Sequence, residues 1–193
     1  MACEFSGIVR DAFIAKGHEA VSCDLLPSER PGPHIQGDVL EHLNDGWDLM
    51  IAHPPCTYLC AGGVNWINRK PEWRPNREKA VKFVRTLLGA PVKRIALENP
   101  IGHLSTAICR PDQIFHVWQF GLPYKKDVCL WLKNLPKLIP THAKQPDLFY
   151  KANNGNLKTY DFWSSDRVLP SGANRKSITF QPIANAMAEQ WGS

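Results

Sequence analysis

The sequence predicts an α/β layer fold in a single domain. Three observations carry that expectation. Helix-like and strand-like stretches alternate through the first half of the chain. Two near-continuous apolar runs, "WDLMIAH" and "RIALENP", have the composition of strands covered on both faces. With 193 residues, 44% hydrophobic and 21% charged, the chain is long and apolar enough to bury a core.

The elements follow in order. "GIVRDAFIAKG" carries Ile8, Val9, Ala12, Phe13 and Ala15 at helical spacing and stops at Gly17. "AVSCDLL" reads as a short strand ending in Asp24, and "HIQGDVL" as a second strand edge followed by Asp38. "WDLMIAH" feeds directly into Pro54, Pro55 and Cys56. Residues 57–76 hold Gly and Pro punctuation and two tryptophans, which predicts a long loop. A helix with Ala80, Val81, Val84, Leu87 and Leu88 on one stripe comes next, then the strand that ends near Glu98. "IFHVWQF" and "DVCLWL" form a further strand pair around the turn "GLPYKK". Periodicity fades over 136–176, and "IANAMAEQW" is a closing helix.

Composition excludes several classes. No apolar run approaches the roughly 20 residues of a membrane helix, and no secretory signal is expected at the start. Cys3, Cys23, Cys56, Cys60, Cys109 and Cys129 lack the dense spacing of a disulfide scaffold, so reduced thiols and a cytoplasmic setting are expected. The net charge is +5, and residues 135–176 hold seven basic residues against three acidic ones. That bias permits a polyanionic partner without requiring one.

Asp24, Cys56 and Glu98 fall at or just past strand C-termini, the edge of an open parallel sheet where ligands bind. The two prolines before Cys56 stiffen its backbone, and a thiol beside basic groups or a helix N-terminus becomes a usable nucleophile. A buried structural cysteine reads equally well from the residues alone. A metal site built on His53, Cys56 and Cys60 lacks a fourth ligand nearby and the spacing of a zinc knuckle. Glu98, ending an apolar strand, is expected to have a raised pKa suited to proton delivery, or else to cap the following turn. Asp24 and Asp38 suit ribose hydroxyls or an adenine amine, and suit turn or helix caps as well.

In order along the chain, "FSG" before a helix, an acid about twenty residues on, "GDV", "DLMIAHPPC", "ALENP" and "FGLPYKKDVCLWL" resemble the DNA cytosine-5 methyltransferase family. The likeness is closest to its small phage- and prophage-type members and spans roughly residues 3 to 134. It implies a Rossmann-like sheet that binds S-adenosyl-L-methionine. Phe5, Ser6, Gly7, Asp24, Leu25, Asp38, Val39 and Pro54 would contact that cofactor, with Asp24 on the ribose and Asp38 near the adenine. Cys56 would attack C6 of cytosine while Glu98 hydrogen-bonds or protonates N3. Asn99, Lys125, Lys126, Arg69 and Arg74 would contact the substrate, and the base would be flipped out of a duplex. No metal is implied.

The chain departs from the family pattern at named places. His53–Pro54–Pro55–Cys56 stands for Gly-Pro-Pro-Cys, and Glu98–Asn99–Pro100 for Glu-Asn-Val. Tyr124–Lys125–Lys126–Asp127 replaces a Gln-x-Arg-x-Arg turn, keeping charge without the arginine forks. Ile8 and Val9 occupy the usual glycine pair, and Met1–Ala2–Cys3 leaves almost no first strand, normally the central one. The expected organisation is a catalytic and cofactor-binding core at 1–135, a small loop-rich recognition region at 136–176, and a helix at 177–193 packing back on the core. Phe149, Tyr150, Tyr160, Phe162 and Trp163 interleave with Lys144, Lys151, Lys158 and Arg167, a mixture suited to base stacking or to an ordinary loop-rich flank. The expected partner is DNA, with a single strand or a free cytosine nucleotide as variants. A nucleic-acid binder that has lost catalysis is the alternative from another class.

Overall fold

A computed structural model of the chain describes residues 1–123, 126–142, 149–151, 157–159 and 179–192. The chain alternates helix and strand: α1 (Ile8–Ile14), β1 (Ser22–Asp24), β2 (His34–Gln36), β3 (Leu49–Ala52), α2 (Ala61–Arg69), α3 (Arg74–Leu88), β4 (Arg94–Asn99), α4 (Leu104–Ala107), β5 (Gln113–His116), β6 (Asp127–Lys133), β7 (Phe149–Lys151), β8 (Leu157–Thr159) and α5 (Gln181–Trp191). Single 3-10 turns at Val39–His42, Pro71–Trp73 and Val117–Phe120 punctuate it.

The expected α/β class holds, with a sheet that mixes parallel and antiparallel pairs. β1 and β2 are parallel, as are β3 and β4, while β6 runs antiparallel to both β4 and β5. Ala2 bridges in parallel to Cys23 on β1 and to Ala52 on β3, joining the two sets. Its ladder is short but well bonded: Ala2 N donates to Ile51 O at 2.8 Å, and His53 N to Ala2 O at 2.9 Å. On the other side Cys23 N donates to Met1 O at 2.8 Å. The resulting order is β2, β1, the Ala2 stub, β3, β4, β6, β5. The stub and β1 to β4 all stay parallel, but the chain adds β1 and β2 on one side of the stub and then β3 and β4 on the other, so the crevice between the stub and β3 is the expected ligand position in an open sheet.

Alternation along the strands explains why helices cover both faces. Ile51, Ala96, Val128 and Leu130 face Val9, Ala12 and Phe13 of α1 and Ile183, Ala184, Met187 and Trp191 of α5. Met50, Ala52, Ile95, Leu97, Cys129 and Trp131 point the other way, onto Val81, Val84 and Leu87 of α3. Each of these fully buried Leu, Ile or Phe side chains contributes about 1.5–3 kcal/mol relative to exposure. The closing helix therefore packs on the core, as its apolar spacing predicts.

Two expectations need correcting. Residues 57–76 are not one long loop: α2 and the 3-10 turn Pro71–Trp73 lie within them. Gly62 and Gly63 hid the helix, since glycine disfavours a helix interior, but Gly63 is there for space. A Cβ on it would be driven into the Thr57 carbonyl oxygen, with Thr57 C at 3.1 Å and Tyr58 C at 3.2 Å. The strand expected over "IFHVWQF" ends at His116, where a capping box with Gln119 turns the backbone into the 3-10 segment that stops at left-handed Gly121 (φ 86°). The basic and aromatic mixture expected across 136–176 lies outside the described residues apart from 136–142 and the antiparallel β7–β8 pair.

Candidate active site

Register determines which residues meet. Ala52 pairs with Leu97 across β3 and β4, so the next residues, His53 and Glu98, emerge side by side at the C-terminal edge. His53 Nδ1–H donates to Glu98 Oε2 at 3.2 Å, and Thr179, just before α5, lies 3.3 Å from the same nitrogen. His53 is buried, and its Nε2 has no partner among the described residues. Glu98 keeps 17% of its side chain exposed.

The raised pKa expected for Glu98 is not what its surroundings produce. Burial alone would push it up, but the His53 hydrogen bond and the charge of Lys126 outweigh that and hold the carboxyl below its usual range. Glu98 is thus a charged acceptor at neutral pH. Lys126 also lies over the Phe180 ring, 5.3 Å from its centroid.

Past His53 the chain is anchored before it reaches the thiol. Asn99 Nδ2 donates to Pro54 O at 2.9 Å, in a fully buried contact. Residues 56–60 then close one turn, with Cys60 N and Leu59 N both donating to Cys56 O at 2.9 Å. Cys60 pairs antiparallel with Gly102, beyond β4, through Ala61 N to Ile101 O at 3.2 Å and His103 N to Leu59 O at 2.7 Å. Only glycine fits this clasp: a Cβ at Gly102 would meet Leu59 O, with Cys60 Cα at 2.7 Å.

The turn carries two thiols that lie close enough for each to act on the titration of the other. Cys60 is the N-cap of α2, and its sulfur accepts from Gly63 N at 3.4 Å. The hydrogen bond from Cys56 and the backbone N–H groups of Gly62 and Gly63 outweigh burial and hold the Cys60 thiol well below the ordinary range. Cys56 is pushed up, first by donating to Cys60, then by burial and by the nearby Glu98 carboxylate. These influences favour the protonated form of Cys56 and the ionised form of Cys60, so a proton passed from Cys56 to Cys60 would free Cys56 as a thiolate within reach of the Glu98 charge.

Beside this centre a cavity of about 570 Å³ opens among Asp24, Leu25, Asp38, Val39, Pro55 and Tyr58, with Lys79, Ala80 and Phe83 of α3 on its wall. Four of the residues expected to hold a cofactor thus share one cavity, although Asp24 and Asp38 also cap local turns through Leu26 N at 2.9 Å and Leu40 N at 3.0 Å. Leu25 is 72% exposed at its rim. Pro55, rather than the expected Pro54, lines it. Phe5 and Ser6 are buried and do not. Gly7 starts α1 in the left-handed region at φ 74°, against the Arg10 guanidinium. Among the expected substrate contacts, Asn99 acts on Pro54, Lys126 stands over the centre, Arg69 and Arg74 are exposed, and Lys125 lies outside the described residues.

Sequence reasoning left out four residues of this neighbourhood as site members: Glu4, His53, Cys60 and Thr179. Glu4 is 4% exposed, takes the Ser6 hydroxyl on Oε1 at 2.5 Å, and leaves Oε2 buried without a partner. A carboxylate one residue before "FSG" was the available signal for Glu4. Along the cavity side, Tyr58 packs edge-on against Trp73 at 5.4 Å. Trp66, half exposed, stacks on Trp73 at 6.4 Å with Lys70 over both rings. No group of three or more metal-ligating side chains occurs among the described residues.

Comparison with family models, with curated proteins and with solved structures returns no match for this chain.

Proposed function

We propose that this chain is an S-adenosyl-L-methionine-dependent methyltransferase acting on C5 of cytosine in DNA, through a covalent bond from Cys56. The observation that carries the reading is the meeting of the Cys56 thiol and the Glu98 carboxylate, distant in sequence, at the C-terminal edge of adjacent strands. A binding module has no use for paired thiols beside a charged carboxylate that keeps 17% of its side chain exposed.

C5 of cytosine is too weak a nucleophile to be alkylated unaided. Addition of the Cys56 thiolate to C6 moves ring electrons toward C5 and N3. Cys60 receives the Cys56 proton as this bond forms. The charged Glu98 accepts from the exocyclic amine, and the proton that N3 takes up as it becomes basic comes from solvent by way of this carboxylate, with the His53 hydrogen bond and the Lys126 charge acting on it. Loss of the C5 proton and expulsion of the Cys56 sulfur then restore the aromatic ring.

The residues present fit the proposed cofactor. The cavity of about 570 Å³ is within the range of small-molecule sites, and Asp24 and Asp38 on its lining supply hydroxyl and amine acceptors. When bound, that cofactor supplies an electrophilic methyl group. The Trp66–Trp73–Lys70 stack offers a platform for bases and a charge for phosphate. No helix among the described residues is long and apolar enough to cross a membrane.

The test is mechanism-based trapping. Wild-type protein, cofactor and DNA containing 5-fluorocytosine should give a denaturant-resistant adduct that maps to Cys56 and vanishes in Cys56→Ser. A folded protein that binds labelled cofactor yet forms no adduct on double-stranded, single-stranded or nucleotide substrate would refute the assignment. Salt-sensitive DNA binding that needs neither cofactor nor Cys56 would favour the binder instead.

A further inference from the structure

We propose that Cys56 and Cys60 form a peroxide-sensitive dithiol, closing to a disulfide that reversibly removes the nucleophile from service. Four observations converge on the pair. One turn, closed by Cys60 N to Cys56 O at 2.9 Å, carries both residues. The two thiols lie close enough for each to act on the titration of the other. Both are only partly buried, so a small oxidant reaches them. Cys60 caps α2, where Gly63 N donates to its sulfur at 3.4 Å, so a thiolate at Cys60 has a backbone donor to hold it.

The surroundings favour attack from Cys60 rather than Cys56. The groups acting on Cys60 are the Cys56 thiol and the backbone N–H groups of Gly62 and Gly63; those acting on Cys56 are Cys60, Glu98 and Lys126. Hydrogen peroxide is the oxidant. The Cys60 thiolate forms a sulfur–oxygen bond as the O–O bond breaks, giving a sulfenic acid and hydroxide. That hydroxide takes the Cys56 proton and becomes water. The Cys56 sulfur then attacks the Cys60 sulfur, and the S–S bond forms as hydroxide leaves. Two electrons pass from the dithiol to the peroxide, and a thiol reductant returns them. Of the remaining thiols, Cys23 and Cys129 are buried, Cys109 lies exposed beyond β4, and Cys3, beside Cys23, is pushed up to about 12 by burial and so stays protonated.

The chemistry does not depend on the methyltransferase reading; only its consequence for activity does. Folded full-length protein is exposed to hydrogen peroxide, remaining thiols are blocked, and chymotrypsin cuts after Tyr58, between the two cysteines. The expected result is two fragments held together by sulfur alone, a loss of two hydrogens in mass, loss of two alkylatable thiols, and full reversal by dithiothreitol. Cys56→Ser should abolish the joined fragments and leave Cys60 as the sulfenic acid, captured by dimedone. The proposal is overturned if peroxide that oxidises Cys109 leaves the fragments unjoined in the folded wild type, or if they join only after unfolding in urea. Joined fragments together with failed fluorocytosine trapping under reducing conditions would sink the proposed function and leave the dithiol standing.

Discussion

Gly62 and Gly63 are neighbours in one helix, yet replacing each with alanine should move stability in opposite directions. A Cβ on Gly62 meets nothing closer than the Cys60 sulfur at 4.0 Å, so Gly62→Ala collects the ordinary helix gain of about 0.5–1 kcal/mol. For a chain of this size that is a rise of about 1–4 °C in Tm. A Cβ on Gly63 collides with the Thr57 carbonyl, which is backbone in the tight turn carrying Cys56 and cannot rotate away. Relief requires α2 to retreat from that turn, which stretches the Gly63 N to Cys60 Sγ bond from 3.4 Å. A hydrogen bond to a charged group contributes about 1.5–3 kcal/mol. Set against the same helix gain, the net loss is about 1–2 kcal/mol before steric strain is added. Thermal unfolding of the two variants, followed by circular dichroism, measures both signs. Iodoacetamide alkylation against pH supplies a second readout, because Gly63→Ala should shift the acidic thiol titration upward and Gly62→Ala should leave it in place. Shifts of the same sign in Tm, or an unchanged thiol titration in Gly63→Ala, would refute the placement of α2 against the cysteine turn.

Two further outcomes follow from the same centre. Glu98 is held below its unfolded pKa, so its contribution to stability is present above about pH 4.5 and is lost as pH falls through the folded value. Tm measured from pH 7 down to pH 3 should therefore drop more steeply for the wild type than for Glu98→Gln, and parallel curves would contradict the His53 and Lys126 contacts. Asn99→Ala removes the donor to Pro54 O and leaves a buried carbonyl unpaired, a loss of about 1–3 kcal/mol, to be read as a lower urea midpoint at constant slope.

Much of the scaffold was legible because period-two and period-3.6 patterns are local. The runs around Met50–Ala52 and Ile95–Leu97 alternate between the two apolar layers as their composition predicts, and the stripe Val81, Val84, Leu87 lies buried as its spacing requires. α2 escaped because the close approach that demands Gly63 is invisible without the Thr57 turn beside it. His53 read as a weak metal ligand, since its partners Glu98 and Thr179 lie 45 and 126 positions away and no spacing rule links them. The sign of the Glu98 shift was misjudged for a related reason: burial is written in the apolar run, whereas the compensating His53 and Lys126 contacts arise only when strands pair. Cofactor-type acceptors at Asp24 and Asp38 were read from position alone and do gather on one cavity, while the buried Glu4 acceptor has no sequence periodicity to announce it.

The glycine clasp between residues 59–61 and 101–103 has a consequence for how ligands are handled. Together with the Asn99 strut and the histidine–carboxylate contact, it stitches the carriers of sulfur and carboxyl into one stiff jaw. Their spacing is settled when the polypeptide folds, not when a ligand arrives, so docking energy is left free for extracting and gripping whatever enters.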